Sequence, residues 1–317
     1  MQTVRLGRTG VEVSVAGLGC GGHSRLGMRS GANAEEASRI VSAALDLGVT
    51  FIDTARAYGT EEAVGLGVRG RRDQAFISTK ASPSGGGRGW DSELISAAAL
   101  TESLEGSLRR LGVDHVDLFH LHGVPPGQYG HCVELLLPEM ERQQKAGKIR
   151  FLGITEGFGA DTRHEMLARA AHDGHFDVVM VGFNLLNPSA RRNVFPQTLA
   201  RDIGALIMFA VRRALSHPDV LVETIAKLID SGEIEAAKVD RDDPLGFVRD
   251  HAGVASTIEA AYRYCRHEPG AHVVLTGTGS VDHLKANLAA IQAPPLPADL
   301  QTRLADIFGD VDSVSGN

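Results

Sequence analysis

Phe51-Ile52-Asp53-Thr54-Ala55-Arg56-Ala57-Tyr58-Gly59, followed by Phe76-Ile77-Ser78-Thr79-Lys80, carries the information that decides the fold. Both segments begin as short apolar, strand-like runs and end in polar groups: Asp53 and Tyr58 after the first, Lys80 after the second. Alternation along a strand puts Phe76, Ser78 and Lys80 on one face. The same rule groups Val116, Leu118, His120 and His122 in a third run. Working outward, strand-like runs recur at residues 13–19, 49–54, 75–80, 116–122, 149–155, 178–184, 205–211 and 272–278. Most are separated by stretches with helical apolar spacing, such as Ile40, Ala44 and Leu47, or Leu100, Leu104, Leu108 and Leu111. Gly48, Gly112 and Gly147 stand where left-handed helix caps are expected. Eight strands with intervening helices count out an α/β fold, the (β/α)8 TIM barrel.

The full 317 residues suit one such domain, with an N-terminal strand or hairpin ahead of the barrel. The long segment after the seventh strand must contain extra helix, because a structureless loop of that length is improbable. Its charged run, residues 233–243, is expected to be a solvated surface. A short terminal helix is expected near Ala298–Phe308. Residues 81–90 and 123–130, with the segment after Val211, are expected to form a lid; Trp90, Phe119 and Tyr129 are candidates to shape a pocket.

An apolar fraction of 43% and a charged fraction of 22% are those of a soluble globular protein. Cys20, Cys132 and Cys265 are too few and too scattered for a disulfide framework or a cysteine-rich zinc site, which suggests a reducing, cytoplasmic setting. A formal charge of −7 argues against nucleic acid as a partner. No apolar run approaches the roughly 18 residues that span a bilayer, and the N-terminus is read as mature protein.

Asp53, Tyr58, Lys80 and His122 all fall where strands end, the face on which such barrels carry their active sites. A phenol titrates near ~10, and a neighbouring ammonium would lower that value and fit it to proton transfer. Asp53 would keep Lys80 charged, and His122 would polarise a carbonyl. A buried Lys–Asp pair that merely knits two strands is the plainer reading of Asp53 and Lys80 alone; Tyr58 favours chemistry.

These residues, with Leu6-Gly7-Arg8-Thr9-Gly10, Asp117-Leu118-Phe119-His120-Leu121-His122, Gly147-Lys148-Ile149-Arg150-Phe151-Leu152-Gly153-Ile154-Thr155, Asn184-Leu185-Leu186 and Leu275-Thr276-Gly277-Thr278, resemble the aldo/keto reductases over nearly the whole chain. The resemblance implies a barrel that binds NADP(H) or NAD(H) and interconverts a small carbonyl and an alcohol. By resemblance Tyr58 is the proton donor, Lys80 its modulator, Asp53 the counter-ion, and His122 orients the carbonyl. It further implies cofactor contacts from Gly21, Gly22, Thr155, Glu156, Phe209, Gly277, Thr278, Gly279, His283 and Asn287. Glu156 departs from the family's Ser-Asn-like pair, and Met180 stands where a glutamine is usual. The basic residue that holds a 2′-phosphate is missing at Gly277 and His283, leaving Arg212 or Arg213 as substitutes.

Two rival readings remain at this level. His120 and His122 suggest a metal-dependent barrel hydrolase, although Asp53 is the only other clear ligand, Lys80 would repel a cation, and His131, His164 and His172 fall in loops or helices. A cofactor-binding regulatory subunit on the same fold is the other. Gly17-Leu18-Gly19-Cys20-Gly21-Gly22 matches G-x-G-x-x-G, but no helix opens at once behind it, so it is not a Rossmann fingerprint.

Overall fold

The computed structural model describes residues 1–85 and 93–317. Eight parallel strands close into a barrel: β1 (Ala16–Gly19), β2 (Phe51–Asp53), β3 (Phe76–Ala81), β4 (Val116–Val124), β5 (Ile149–Glu156), β6 (Val178–Gly182), β7 (Gly204–Met208) and β8 (Val273–Thr276). They run in sequence order, and β8 closes the ring by pairing with both β7 and β1.

The single run expected over residues 13–19 divides in two. Glu12–Ser14 pairs antiparallel with Thr3–Arg5 as a hairpin, and only Ala16–Gly19 joins the barrel. The hairpin plugs the barrel floor, because Leu6 and Val13 pack with Phe51, Phe76, Leu118, Val178, Met180, Leu206 and Val273 in one inner cluster. Each such fully buried side chain contributes roughly 1.5–3 kcal/mol. Val116 does not belong to that cluster: at the first position of β4 it packs with the larger outer one, between strands and helices.

The helices form where the sequence supplies both a stripe and a start signal. Asn33 caps Ala34–Asp46 in a reciprocal capping box with Glu36, and Ile40, Val41 and Ala44 bury its inner face. Ser96 caps Ala97–Leu111, which Gly112 ends at φ 65°. The segment after β7 holds Arg213–Ser216, Pro218–Asp230, Gly246–Arg249 and Thr257–Arg266. The run 233–243 within it is mostly solvent-facing, tethered by buried Ile234 and Val239. The last helix spans Ala298–Phe308. No helix among the described residues is long and apolar enough to cross a membrane.

Candidate active site

The C-terminal ends of β2, β3 and β4 bring Asp53, Lys80 and His122 together, and the turn Arg56–Tyr58 adds the phenol. Lys80 is fully buried; its Nζ donates to both Asp53 carboxylate oxygens at 2.6 Å and to the Thr54 carbonyl at 2.8 Å. Ser78 donates its hydroxyl to Asp53 Oδ1 at 2.9 Å. Burial by itself would lower the lysine's pKa, but Asp53 and then Tyr58 outweigh it and raise the value. The ammonium sits 4.9 Å from the centroid of the Tyr58 ring. Tyr58 Oη lies 3.3 Å from His122 Nε2, the two rings meeting edge to face at 89°.

Two protonation states follow. Burial, reinforced by Lys80, pushes His122 down to about 3, so its imidazole is neutral. The phenol differs from the expectation of a depressed value. Burial raises the Tyr58 pKa and the Lys80 charge only opposes that rise. Lys80 therefore acts in the expected direction without setting the net result, because a phenolate taken out of water loses more hydration than one ammonium restores.

The facing half of the mouth, from β5 to β7, is built differently. Thr155 accepts from the Gly123 N–H at 2.7 Å. Glu156, expected among the cofactor contacts, is instead buried with both oxygens 2.9 Å from His164 Nδ1 and Oε1 accepting from Gly182 N–H at 2.7 Å. His164 stacks on Phe158 at 5.1 Å, and Phe158 lies 5.6 Å from Phe209. Gly182 admits the Phe158 ring, since a Cβ there would fall 2.1 Å from Phe158 Cγ. Phe209 holds a left-handed backbone at φ 66°, unusual for a bulky residue, and the Arg212 guanidinium covers a face of its ring at 3.9 Å. The aromatic platform expected at Phe209 is present, but it carries a guanidinium.

At the β8 end, Asn287 donates to Thr276 Oγ1 at 2.8 Å, and Thr278 accepts from Ser280 N–H at 3.1 Å. Ser280 caps the helix Val281–Gln292, with His283 exposed in its first turn. Gly277 and Gly279 lie so close to the β1 loop that a Cβ on either would fall 2.7 Å from Gly19 O or from Gly27. A Cβ on Gly22 would lie 3.9 Å from Gly277. A glycine-lined seam leading to a helix N-terminus suits a phosphate-bearing ligand, and an aromatic ring at the end of β7 suits a nicotinamide.

The sequence of residues 18–307 matches the family model of the aldo/keto reductase family. The chain belongs to that family. The uncharacterized oxidoreductase YqkF of Bacillus subtilis is 24% identical over 298 residues, 92% of each chain. The aldo-keto reductase YhdN of the same organism is 27% identical, covering 90% of this chain and 87% of its own. Among solved structures, an aldo-keto reductase from Bacillus halodurans in its holo form superposes with a TM-score of 0.72 at 24% identity, covering 96% of this chain and 95% of its own. One from Klebsiella pneumoniae, in complex with NADPH, gives 0.65 at 23% identity, covering 98% and 96%. As an aldo/keto reductase, the chain is a nicotinamide-dependent oxidoreductase.

Within this aldo/keto reductase the other residues that the sequence singled out take the following places. Phe119 packs in the outer cluster. Tyr129 is buried and donates to Asp173 at 3.0 Å, away from the mouth. Arg56 is exposed. His120 is fully buried beneath the site, with no hydrogen-bond partner for either ring nitrogen among the described residues. Met180 belongs to the apolar inner cluster and offers no polar group. Trp90 lies outside the described residues. Phe158 was missed as a neighbour of Phe209, and His164 as the partner of Phe158 and Glu156; only Glu156, a buried acid at a strand end, hinted that a partner was needed.

Proposed function

We propose that the chain reduces an aldehyde or ketone, or oxidises the corresponding alcohol, through a tetrad of Tyr58, Lys80, Asp53 and His122. The observation that carries this reading is the Lys80 ammonium, fixed by Asp53 and Thr54 beneath the Tyr58 ring while Tyr58 Oη lies 3.3 Å from neutral His122. A bound NADPH or NADH supplies the hydride to the carbonyl carbon. His122, neutral, orients the carbonyl oxygen toward Tyr58 by hydrogen bonding. Tyr58 gives its proton to the oxygen as negative charge develops there, and Lys80 stabilises the phenolate left behind. Asp53 keeps the lysine charged and in place. To the dinucleotide we assign Gly22, Thr155, Phe209, Gly277, Thr278, Gly279 and Asn287. Without a basic side chain at Gly277 or His283, a 2′-phosphate gains no charge-assisted contact there, so NADH should serve nearly as well as NADPH.

Aldehyde-dependent oxidation of NADPH and NADH tests the reading. Tyr58→Phe is expected to lower kcat by about 10²–10⁴-fold with the cofactor Kd unchanged. Full activity in that variant would remove the tetrad from the mechanism. We place the protein in the cytoplasm, in keeping with three buried, free cysteines.

A further inference from the structure

Arg212 has an unusual position for a guanidinium. It follows β7, its side chain is partly withdrawn from water, and Nε donates to Asn317 Oδ1 at 2.8 Å. Several arginines that reach into the protein have a carboxylate: Arg72 has Asp117, Arg110 has Glu61, Arg191 has Glu268 and Arg263 has Glu259, whereas partly buried Arg266 has none among the described residues. Arg212 has none among the described residues. It is held on Phe209 at 3.9 Å, which fixes the plane of the guanidinium. With Nε engaged, the two Nη groups present a flat donor edge of the kind that takes a carboxylate in two parallel hydrogen bonds. Burial lowers the Arg212 pKa, and Tyr58 is the group that opposes this, so the charge lies within the field of the proton donor.

We propose that Arg212 anchors a carboxylate of the substrate, so that the enzyme acts on small aldehydes or ketones that carry an acid group a few bonds from the carbonyl. The inference rests on the tetrad reading given above. The competing anion is a phosphate of the dinucleotide. In a dinucleotide a ribose separates the pyrophosphate from the nicotinamide, whereas Arg212 stacks on Phe209, just past the end of β7. Its place past the end of β7, on the barrel face where the turn carrying Tyr58 also lies, favours the substrate as the source. A bound carboxylate would also offset the energetic cost of a guanidinium left unpaired and partly out of water.

The test compares 4-carboxybenzaldehyde with methyl 4-formylbenzoate, which differ in charge and little in shape, as substrates of the full chain with saturating NADPH. The wild type is expected to prefer the acid, and Arg212→Met should cut the acid-to-ester ratio of kcat/KM by about 10–100-fold, through KM. Arg212→Lys should restore part of the preference, since a point charge replaces the fork. An unchanged ratio in Arg212→Met overturns the proposal. If that unchanged ratio comes with a weakened NADPH Kd measured by cofactor fluorescence, Arg212 belongs to the dinucleotide phosphates instead. If the wild type binds NADPH and turns over neither aldehyde, the tetrad reading fails and this inference falls with it.

Discussion

The two sides of the barrel mouth solve the same packing problem in different ways. From β2 to β4, the ionisable side chains at the strand ends have polar partners, with His120 beneath them the exception: Lys80 meets Asp53 and Thr54, Asp53 meets Ser78, and Tyr58 meets His122. From β5 to β7, one acid is turned away into a bond with His164 and the Gly182 amide, and the space beside it is filled by stacked rings ending at Arg212. The first side keeps charge at the mouth. The second hides its charge behind Phe158 and offers the mouth an aromatic surface with one guanidinium. Polar residues at strand ends therefore need not serve the site; what decides is whether another element supplies a partner behind them.

The largest expected effect is on the ionic side. Lys80→Met leaves Asp53 buried without its counter-ion, which should cost about 3–5 kcal/mol of stability together with most of the activity. Urea denaturation and steady-state rates on the same samples separate the two losses, and a variant as stable as wild type would show that the Lys80–Asp53 pair is not held as described. On the aromatic side, Glu156→Ala strands His164 Nδ1 and the Gly182 amide in the interior. A loss of about 2–4 kcal/mol is expected, with the NADPH Kd nearly unchanged. The reverse pattern, intact stability and a tenfold weaker cofactor, would return Glu156 to the nicotinamide, where the family resemblance first placed it.

The same contrast explains how much of the molecule was legible in the sequence. Strand alternation is local, so the inward direction of Lys80 and His122 could be read from their neighbours, and the eight runs gave the barrel. The division of residues 13–19 into a hairpin strand and a barrel strand depends on Thr3–Arg5 folding back, which no pattern within the run signals. Glu156 could not be placed, because its partner His164 stands eight residues on, past a loop, in a left-handed backbone conformation. Tyr129 and Phe119 looked like pocket residues because aromatic composition carries no direction; their partners, Asp173 and the outer helices, come from distant sequence. The net upward shift of Tyr58 was hidden for a related reason. Lys80 is visible in the sequence, but the extent of burial is not.

Gly21 offers a subtler way to perturb the ionic side without touching a charge. A Cβ on this residue would fall 2.2 Å from Tyr58 Cε2. Its backbone is not in the left-handed region, so Gly21→Ala acts through the tyrosine ring and not through strain in the chain. Displacing the phenol by a fraction of an ångström to an ångström should lower kcat by about 10–100-fold, with little change in melting temperature. Cofactor affinity provides the control: an equal loss in the NADPH Kd would mean that Gly21 serves the dinucleotide directly, and an unchanged kcat would mean that the ring has room to spare.

The smallest effect is a pH dependence, and its sign differs between the two sides. His122 titrates at about 3 in the folded chain and near ~6.5 when unfolded. Its folded pKa is depressed, so its contribution to stability is complete above the unfolded value and is lost as pH falls toward 3. Across that window the unfolded chain takes up a proton that the folded chain refuses, worth about 1.4 kcal/mol per pH unit. Between pH 6.5 and 5 the wild type should therefore lose roughly 2 kcal/mol more than His122→Gln, read from urea denaturation at the two pH values. Glu156 has the opposite sign. Burial raises its folded pKa, so its contribution is present below the unfolded carboxyl value and declines as pH rises through the folded one. Glu156→Gln should flatten that decline without altering the acid-side loss assigned to His122. Parallel pH profiles for the two variants would mean that the mouth titrates as one coupled unit, and the division between an ionic and an aromatic side would not survive.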